Sequence, residues 1–501
     1  YKLAELKFTL MSWLAFWQGV ASFLYFMNII LVVFITINLV YRKLDPVKTL
    51  SWVLVVNLLP YIGVIIYLLL GQNYRKRKIF NRKGCDEDLL RKDLCENQLD
   101  FFENIDDLGI YTPYRRMLIQ NLTSCHGMVG INSDIQLFFS GKEALDAMYK
   151  AISEAKHYIY LQSFIFLDDT IGTKFKELLM QKSKEGINVS VLYDSIGSWS
   201  NKKQFDIDLK ESGVEVLEFS PVNIMMPTSK INYRNHRKVL VIDDEVAFIG
   251  GVNIADRYYD GGPYKEWRDT QMLVRGQTVL SLRSSYLMDR YFVLKENLAN
   301  KGNPETKISL PQDILNSRYY YIQTLRSGPD SDWAGIMQCY FSAINLAQKS
   351  IKIITPYFTP CETLLTAIKV ASLGGIEVSI MIPERADSKW IHYCTRSYIQ
   401  ELLDAGINVY LFKDGFNHSK VISIDKKICI VGSANMDNRS MLHDFEIINV
   451  IYDKPTAELI EKQFVIDEAR CERVTSFKWK KDRNKWEKFK EGVARLVSPM
   501  L

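Results

Sequence analysis

Histidine is scarce in this chain, with six among 501 residues. The eight cysteines (85, 95, 125, 339, 361, 394, 429 and 471) form no Cys-x-x-Cys pair, and no His-x3-His or carboxylate cluster accompanies the histidines. These absences argue against a metal centre and a disulfide scaffold, so no metal is expected. Reduced thiols in a cytoplasmic domain are the simplest reading. Charge is missing from residues 8–41 and again from 49–74. Each gap exceeds the roughly 20 residues that span a bilayer. A cleaved leader fits poorly, because the first apolar run is long and a second follows at once. The chain starts at Tyr1 rather than Met, and its natural start is expected upstream.

The two runs predict a transmembrane helical hairpin over 1–74, with Trp13, Trp17, Trp52 and Tyr67 at interfacial depths. Between the runs lie Arg42, Lys43 and Lys48; after them, residues 75–83 carry six Lys or Arg. The heavier basic flank places the large C-terminal part on the cytoplasmic side of the cell membrane. Net charge is +5, yet residues 477–501 alone hold eight basic and three acidic side chains. The remainder is near neutral, which argues against a nucleic-acid groove. Basic residues beside membrane spans suit anionic phospholipids instead. Self-association is left open.

The chain repeats itself. "AISEAKHYIYLQSFIF" (151–166) aligns with "AINLAQKSIKIITPYF" (343–358), "EGINVSVLYD" (185–194) with "GGIEVSIMIP" (374–383), and "LKESGVEVLEF" (209–219) with "LLDAGINVYLF" (402–412). Helices and strands alternate in each copy, which predicts two α/β domains with largely parallel inner sheets, over 131–308 and 309–475. Residues 75–130 form a charged connector and 476–501 a basic amphipathic tail. In that tail Trp486, Phe489, Val493, Leu496 and Val497 recur at helical spacing, for an in-plane lipid contact or for packing on the second domain. The first copy has an extra loop at 220–234 with Met225, Met226 and Pro227. Its expected place is the site mouth, against acyl chains, or on its own domain.

Each copy ends in the same phrase: "NHRKVLVIDD" (235–244) and "NHSKVISIDK" (417–426). A given histidine has Lys at +2 and Asp at +7 about 0.4% of the time at average composition. Two hits at matching places in a repeat are therefore not chance. The β-branched runs read as strands, so His236 and Lys238 share a face, as do His418 and Lys420. Asp243 and Asp425 complete the catalytic motif but fall in turns, where a carboxylate accepts backbone N–H groups. Small residues follow, Gly251 and Ser433, then Asn253 and Asn435, which can offer backbone space and an amide to a phosphate. Imidazole, ammonium and amide on one patch suit phosphate chemistry. Two facing patches would supply both a nucleophile and an acid. Asp269 in "EWRDTQ" and Glu446 in "HDFEII" are the carboxylates expected to orient the imidazoles, with a reach across the interface among the arrangements open to them. His126, His157, His392 and His443 are read as structural.

With these residues in hand, the sequence resembles the phospholipase D superfamily: HxKxxxxD occurs twice, with Gly250-Gly251-Val252-Asn253 and Gly432-Ser433-Ala434-Asn435 behind it. The leading spans and the ending "ARLVSPML" resemble the bacterial cardiolipin synthases, over essentially the whole chain. One departure is Gln271, where similar synthases often have His after WRDT. The resemblance implies two tandem phospholipase D-like domains related by a pseudo-two-fold axis. It implies phosphatidyl transfer between two phosphatidylglycerol molecules, with no cofactor, His236 as nucleophile and His418 as acid and base. Rival readings keep the chemistry and change the acceptor: water for a lipid hydrolase, serine for a phosphatidylserine synthase, nucleic acid for a membrane-tethered nuclease. A non-enzymatic lipid scaffold is the last, and two complete motifs argue against it.

Overall fold

The computed structural model describes residues 2–41, 46–59, 61–70, 86–104, 108–220, 233–296, 319–481, 483–496 and 498. The extra loop with Met225 and Met226 lies outside them. The chain divides into two compact units, the first holding the N-terminal helices up to Asn73.

In that first unit α1 runs Lys2–Tyr41, α2 Pro46–Leu58 and α3 Ile62–Leu70. One helix, Trp13–Tyr41 with mean hydropathy 2.4, is long and apolar enough to cross a membrane. The second expected span is not one helix. The sequence puts Pro60, which has no N–H to donate, between α2 and α3, and Tyr61 takes φ 64°. The Asn28 side chain of α1 accepts the Tyr61 N–H at 3.2 Å, satisfying a donor freed by the break. Val32, Ile35, Leu39, Val56, Val64 and Tyr67 pack between the helices. Taken singly, α2 and α3 have 13 and 9 residues and are too short to span.

The second unit is built on one large sheet. The first repeat supplies β1 (Val129–Ser140), β2 (Tyr158–Ser163), β3 (Asn188–Asp194), β4 (Glu215–Phe219), β5 (Val239–Ile242), β6 (Val246–Gly250) and β7 (Trp267–Gly276). The second supplies β8 (Tyr320–Ser327), β9 (Ser350–Ile354), β10 (Phe358–Thr359), β11 (Glu377–Pro383), β12 (Asn408–Phe412) and β13 (Phe416–Asn417). It continues with β14 (Val421–Ile424), β15 (Ile428–Gly432), β16 (Met436–Asp437), β17 (Glu446–Tyr452) and β18 (Cys471–Arg473). The strand order is β18-β12-β11-β9-β14-β15-β17-β8-β1-β7-β6-β5-β2-β3-β4, with β13 on β7. Read outward from the antiparallel β1–β8 pair, the two sides match strand for strand as far as β12 and β4, with β18 added beyond β12, so the pseudo-two-fold passes between β1 and β8. The two repeats thus share one continuous sheet.

Alternation along the strands builds three layers. On β5, Leu240 and Ile242 face the helices 141–153 and 170–184, while Val239 and Val241 face the opposite layer. On β14, Ile422 and Ile424 face helices 335–346 and 362–373, and Val421 joins the opposite layer. That opposite layer is common to both repeats and is covered by helices Gln277–Leu294 and Lys454–Glu468. The connector is tied in where Gln98 exchanges two hydrogen bonds with the Val129 backbone, at 2.7 and 2.8 Å. The tail helix Lys485–Leu496 packs on helix Lys389–Asp404, with an Arg495–Glu401 pair at 2.8 Å. It still leaves Trp486, Phe489 and Leu496 exposed.

Candidate active site

Each histidine sits in a short stretch that leaves its own repeat and hydrogen-bonds to the other. The His236 N–H donates to the Phe445 carbonyl at 3.0 Å, just before β17 of the second repeat. The His418 N–H donates to the Arg268 carbonyl of β7 at 2.6 Å, and β13 pairs with β7 in parallel. This crossing decides which carboxylate each ring meets. His236 Nδ1 lies 2.9 Å from Glu446 Oε1, and His418 Nδ1 lies 2.7 Å from Asp269 Oδ2. Both carboxylates belong to the opposite repeat. With Nδ1 committed to a carboxylate, Nε2 is the ring nitrogen left for chemistry.

The carboxylates are themselves held. Asp269 Oδ1 accepts the Thr270 N–H at 2.8 Å. A Cβ on Gly251 would lie 2.1 Å from Asp269 Oδ1, so the missing side chain makes room for that acid. At the matching place Ser433 donates its hydroxyl to Glu446 Oε2. Gly251 and Ser433 were expected to open backbone space for ligand; their observed contacts are with the orienting acids. Gln271, at the departure from WRDTH, accepts the Val252 N–H through its side chain at 3.2 Å and so braces the turn after β6.

Burial sets the protonation states. His236 is pushed down to about 4, mainly by desolvation, with Lys238 and Lys420 adding to it and Glu446 opposing. His418 falls well below its ordinary value for the same reason, with Lys420, Lys238 and His236 all contributing, which places the two half-sites within each other's field. Its ring is boxed by Trp267, Tyr258, Phe416 and Tyr357, with centroids 5.3 to 6.3 Å away. His236 has Phe164 at 5.1 Å. Lys238 is lowered to about 7 and Lys420 to about 8, first by burial. Asp269 is raised to about 6 by burial against the pull of Lys420. Glu446 is also penalised by burial, but His236, Lys238 and Ser433 outweigh this and hold it below its usual value. Lys238 Nζ donates to the His236 carbonyl at 2.5 Å. Lys420 donates to the His418 carbonyl and sits 3.0 Å from His418 Nδ1. The shorter Asp269 contact sets the tautomer, with the proton on Nδ1.

Asp243 and Asp425, counted with the catalytic motif, lie at the far ends of β5 and β14. Asp243 accepts the N–H groups of Lys156, His157 and Tyr158 at 2.7 to 2.8 Å. Asp425 accepts those of Gln348, Lys349 and Ser350, and the Tyr114 hydroxyl at 3.1 Å. Both begin turns with two consecutive left-handed non-glycine residues, φ 55° to 56°. That conformation costs about 1–2 kcal/mol per residue, and the backbone hydrogen bonds offset it at about 1 kcal/mol each. These aspartates hold turns rather than touching the imidazoles. Asn253 is likewise engaged: Oδ1 accepts the Ile165 N–H at 3.0 Å and Nδ2 donates to the Tyr258 hydroxyl at 2.5 Å. Asn435 Oδ1 is buried and has no hydrogen-bond partner among the described residues. His443 packs on Tyr233.

Sequence reasoning missed a buried ion pair beneath each half-site. Arg237 meets both oxygens of Asp289 at 2.5 Å, and Asp289 also accepts from Asn235 at 3.0 Å. Arg268 meets Asp467 at 3.0 Å and reaches Ser419 at 3.1 Å. The signal was present, since Arg237 stands inside the motif and Arg268 directly before Asp269.

Two imidazole–carboxylate pairs, each assembled from both repeats of one chain, stand within each other's field, and the doubled HxKxxxxD motif that carries them is of the phospholipase D type. The family described as cardiolipin synthase, PLD-like domain, matches residues 148–263 and 340–467, and a phospholipase D-nuclease N-terminal family matches 26–72. A cardiolipin synthase of Halalkalibacterium halodurans is 37% identical over 97% of this chain and 96% of its own. One of Geobacillus thermodenitrificans is 35% identical over 96% and 94%. This chain belongs to the bacterial cardiolipin synthase family of the phospholipase D superfamily. The crystal structure of a phosphatidylserine synthase of Haemophilus influenzae shares the fold, with TM-score 0.59 and 18% identity over 77% of this chain and 99% of that one.

Proposed function

We propose that this enzyme makes cardiolipin and glycerol from two phosphatidylglycerol molecules. His236 Nε2 attacks the phosphorus, and the P–O bond to the glycerol headgroup breaks. The electron pair leaves on the glycerol oxygen, which takes a proton from His418 Nε2. A hydroxyl of a second phosphatidylglycerol then gives its proton to His418 and attacks the same phosphorus. The P–N bond breaks and the pair returns to His236. Lys238 and Lys420 meet the phosphate charge; Asn435 and the one Asn253 N–H that Tyr258 does not hold add amide donors. Burial disfavours the charged form of both imidazoles, and the anionic phosphate of the bound lipid draws a proton onto His418.

The crossed pairing of His236 with Glu446 and His418 with Asp269 carries this reading. It gives two imidazoles of unlike setting. Glu446, held low, stays ionised and orients His236 with the Nε2 electron pair free to attack; Asp269, raised to about 6 by burial, orients His418. The family match supports the lipid substrate. In the same reading α2 and α3 together form the return leg of a two-span hairpin, with the catalytic unit cytoplasmic.

The test is purified enzyme with radiolabelled phosphatidylglycerol vesicles and no nucleotide. Cardiolipin with free glycerol supports the proposal; phosphatidic acid alone makes the protein a hydrolase, and no turnover a scaffold. His236→Ala and His418→Ala should each lose turnover and stay membrane-bound.

A further inference from the structure

Each repeat displays a tryptophan to solvent beyond its second parallel strand, and the second repeat also exposes Trp333. Trp199 is 83% exposed and Trp390 57% exposed. Both follow the second parallel strand of their repeat, Trp199 in the turn after β3 and Trp390 in the first turn of helix Lys389–Asp404 after β11. Both segments are anchored. Ser198 accepts the Phe166 N–H at 3.0 Å and Asn201 donates to the Phe166 carbonyl at 2.8 Å, two residues from the Phe164 ring that contacts His236. On the other side Tyr357, whose ring faces His418, donates its hydroxyl to Asp387 at 2.7 Å, three residues before Trp390. Each exposed tryptophan thus sits on a segment tied to a wall of its half-site.

An indole held in water on an anchored segment is costly unless something covers it, since apolar area out of water is favoured at about 25 cal/mol per Å². The flanks say what covers it. Lys202 and Lys203 follow Trp199, and Arg385 and Lys389 precede Trp390, all exposed. Ile196 adds exposed apolar area on the first loop. Among them stand Asp387, exposed and accepting the Tyr357 hydroxyl, and half-buried Glu384. Indole at the interface with lysine and arginine beside it fits an anionic headgroup layer.

We propose that Trp199 and Trp390, with Lys202, Lys203, Arg385 and Lys389, form a two-point rim that seats the mouth of the catalytic pocket on an anionic bilayer surface. The inference rests on the lipid substrate argued above and says how that lipid is met.

The test uses the full-length enzyme with Trp199→Ser, Trp390→Ser and the double substitution. In mixed micelles the double variant should raise the apparent KM, in surface mole fraction of phosphatidylglycerol, about tenfold at unchanged kcat. With a short-chain phosphatidylglycerol dispersed as monomers it should match the wild type. Nitroxides on Cys introduced at 199 and 390 in anionic liposomes should collide with oxygen and be shielded from a polar nickel reagent. An unchanged micellar KM, equal losses on both substrates, or nickel-accessible labels would overturn the rim. Should the wild type make no cardiolipin, the proposed function fails, while label depth still decides the rim.

Discussion

Replacing Gly251 by alanine adds one methyl group to the first repeat and should disable the histidine of the second. The new Cβ would stand 2.1 Å from Asp269 Oδ1 and 2.8 Å from Oδ2. Ordinary contact begins at 3.4 Å, so the carboxylate must retreat by 3.4 − 2.1 = 1.3 Å. Asp269 is fully buried and cannot swing into solvent, so the displacement falls on its 2.7 Å contact with His418. Misplacing a reacting group by about 1 Å costs on the order of 10²-fold in rate. Overpacking should also lower stability by about 1–3 kcal/mol. Because His418 is assigned the proton transfers, the loss should depend on the leaving group. Phosphatidylglycerol, which must expel an alkoxide, should react about 100-fold more slowly. Phosphatidyl-p-nitrophenol releases an anion needing no proton, so its burst should slow by less than about tenfold. Glu446→Gln, which unsettles the nucleophile, should slow both. Wild-type turnover of phosphatidylglycerol by Gly251→Ala, or equal losses on the two substrates, would refute the assignment.

Lys238 and Lys420 lose their protons as pH rises through about 7 and 8, not through the ordinary lysine value of 10.5, because burial disfavours their charge. The free enzyme's kcat/KM for phosphatidylglycerol should therefore fall above about pH 7–8, and Lys238→Arg should push that limb upward; a limb near 10 would contradict this. Asp425→Ala should lower the melting temperature, at a cost of about 1–3 kcal/mol from orphaned backbone donors, and leave kcat per folded molecule unchanged. Asp289→Ala strands the Arg237 guanidinium, which the structure pairs at 2.5 Å, and should destabilise the fold by about 3–5 kcal/mol, read by denaturant unfolding.

The repeat and both HxK pairs were legible because strand alternation and spacing are local facts of the sequence. So was the candidacy of Asp269 and Glu446, but not their pairing, since the sequence alone left exchange between repeats open. That exchange follows from two short parallel contacts, Asn235 with Phe445 and Phe416 with Trp267, which no periodicity announces. Gly251 and Ser433 were misread for a similar reason. A small residue signals close approach, but only the fold says what approaches, here a carboxylate rather than a ligand. The second apolar run read as one span because hydropathy averages over Pro60. The break and its Asn28 partner depend on a helix more than 30 residues away in sequence.

The two half-sites are related without being copies, and their differences compensate. Under His236 the buried guanidinium is Arg237, on the same segment as the histidine, and the facing residue is Phe445, with the guanidinium carbon 5.4 Å from its ring centre. Under His418 the residue after the histidine is Ser419, and the guanidinium comes from the facing strand as Arg268. Each finds a buried aspartate on the matching helix of the shared layer, Asp289 on Gln277–Leu294 and Asp467 on Lys454–Glu468. A buried charge without its partner costs several kcal/mol. The Arg268–Asp467 pair joins the repeats, as do both histidine–carboxylate pairs. Separating the repeats would therefore strand a buried arginine and both orienting acids at once. Catalysis and the union of the two halves rest on the same few contacts, so neither repeat can hold a competent half-site on its own.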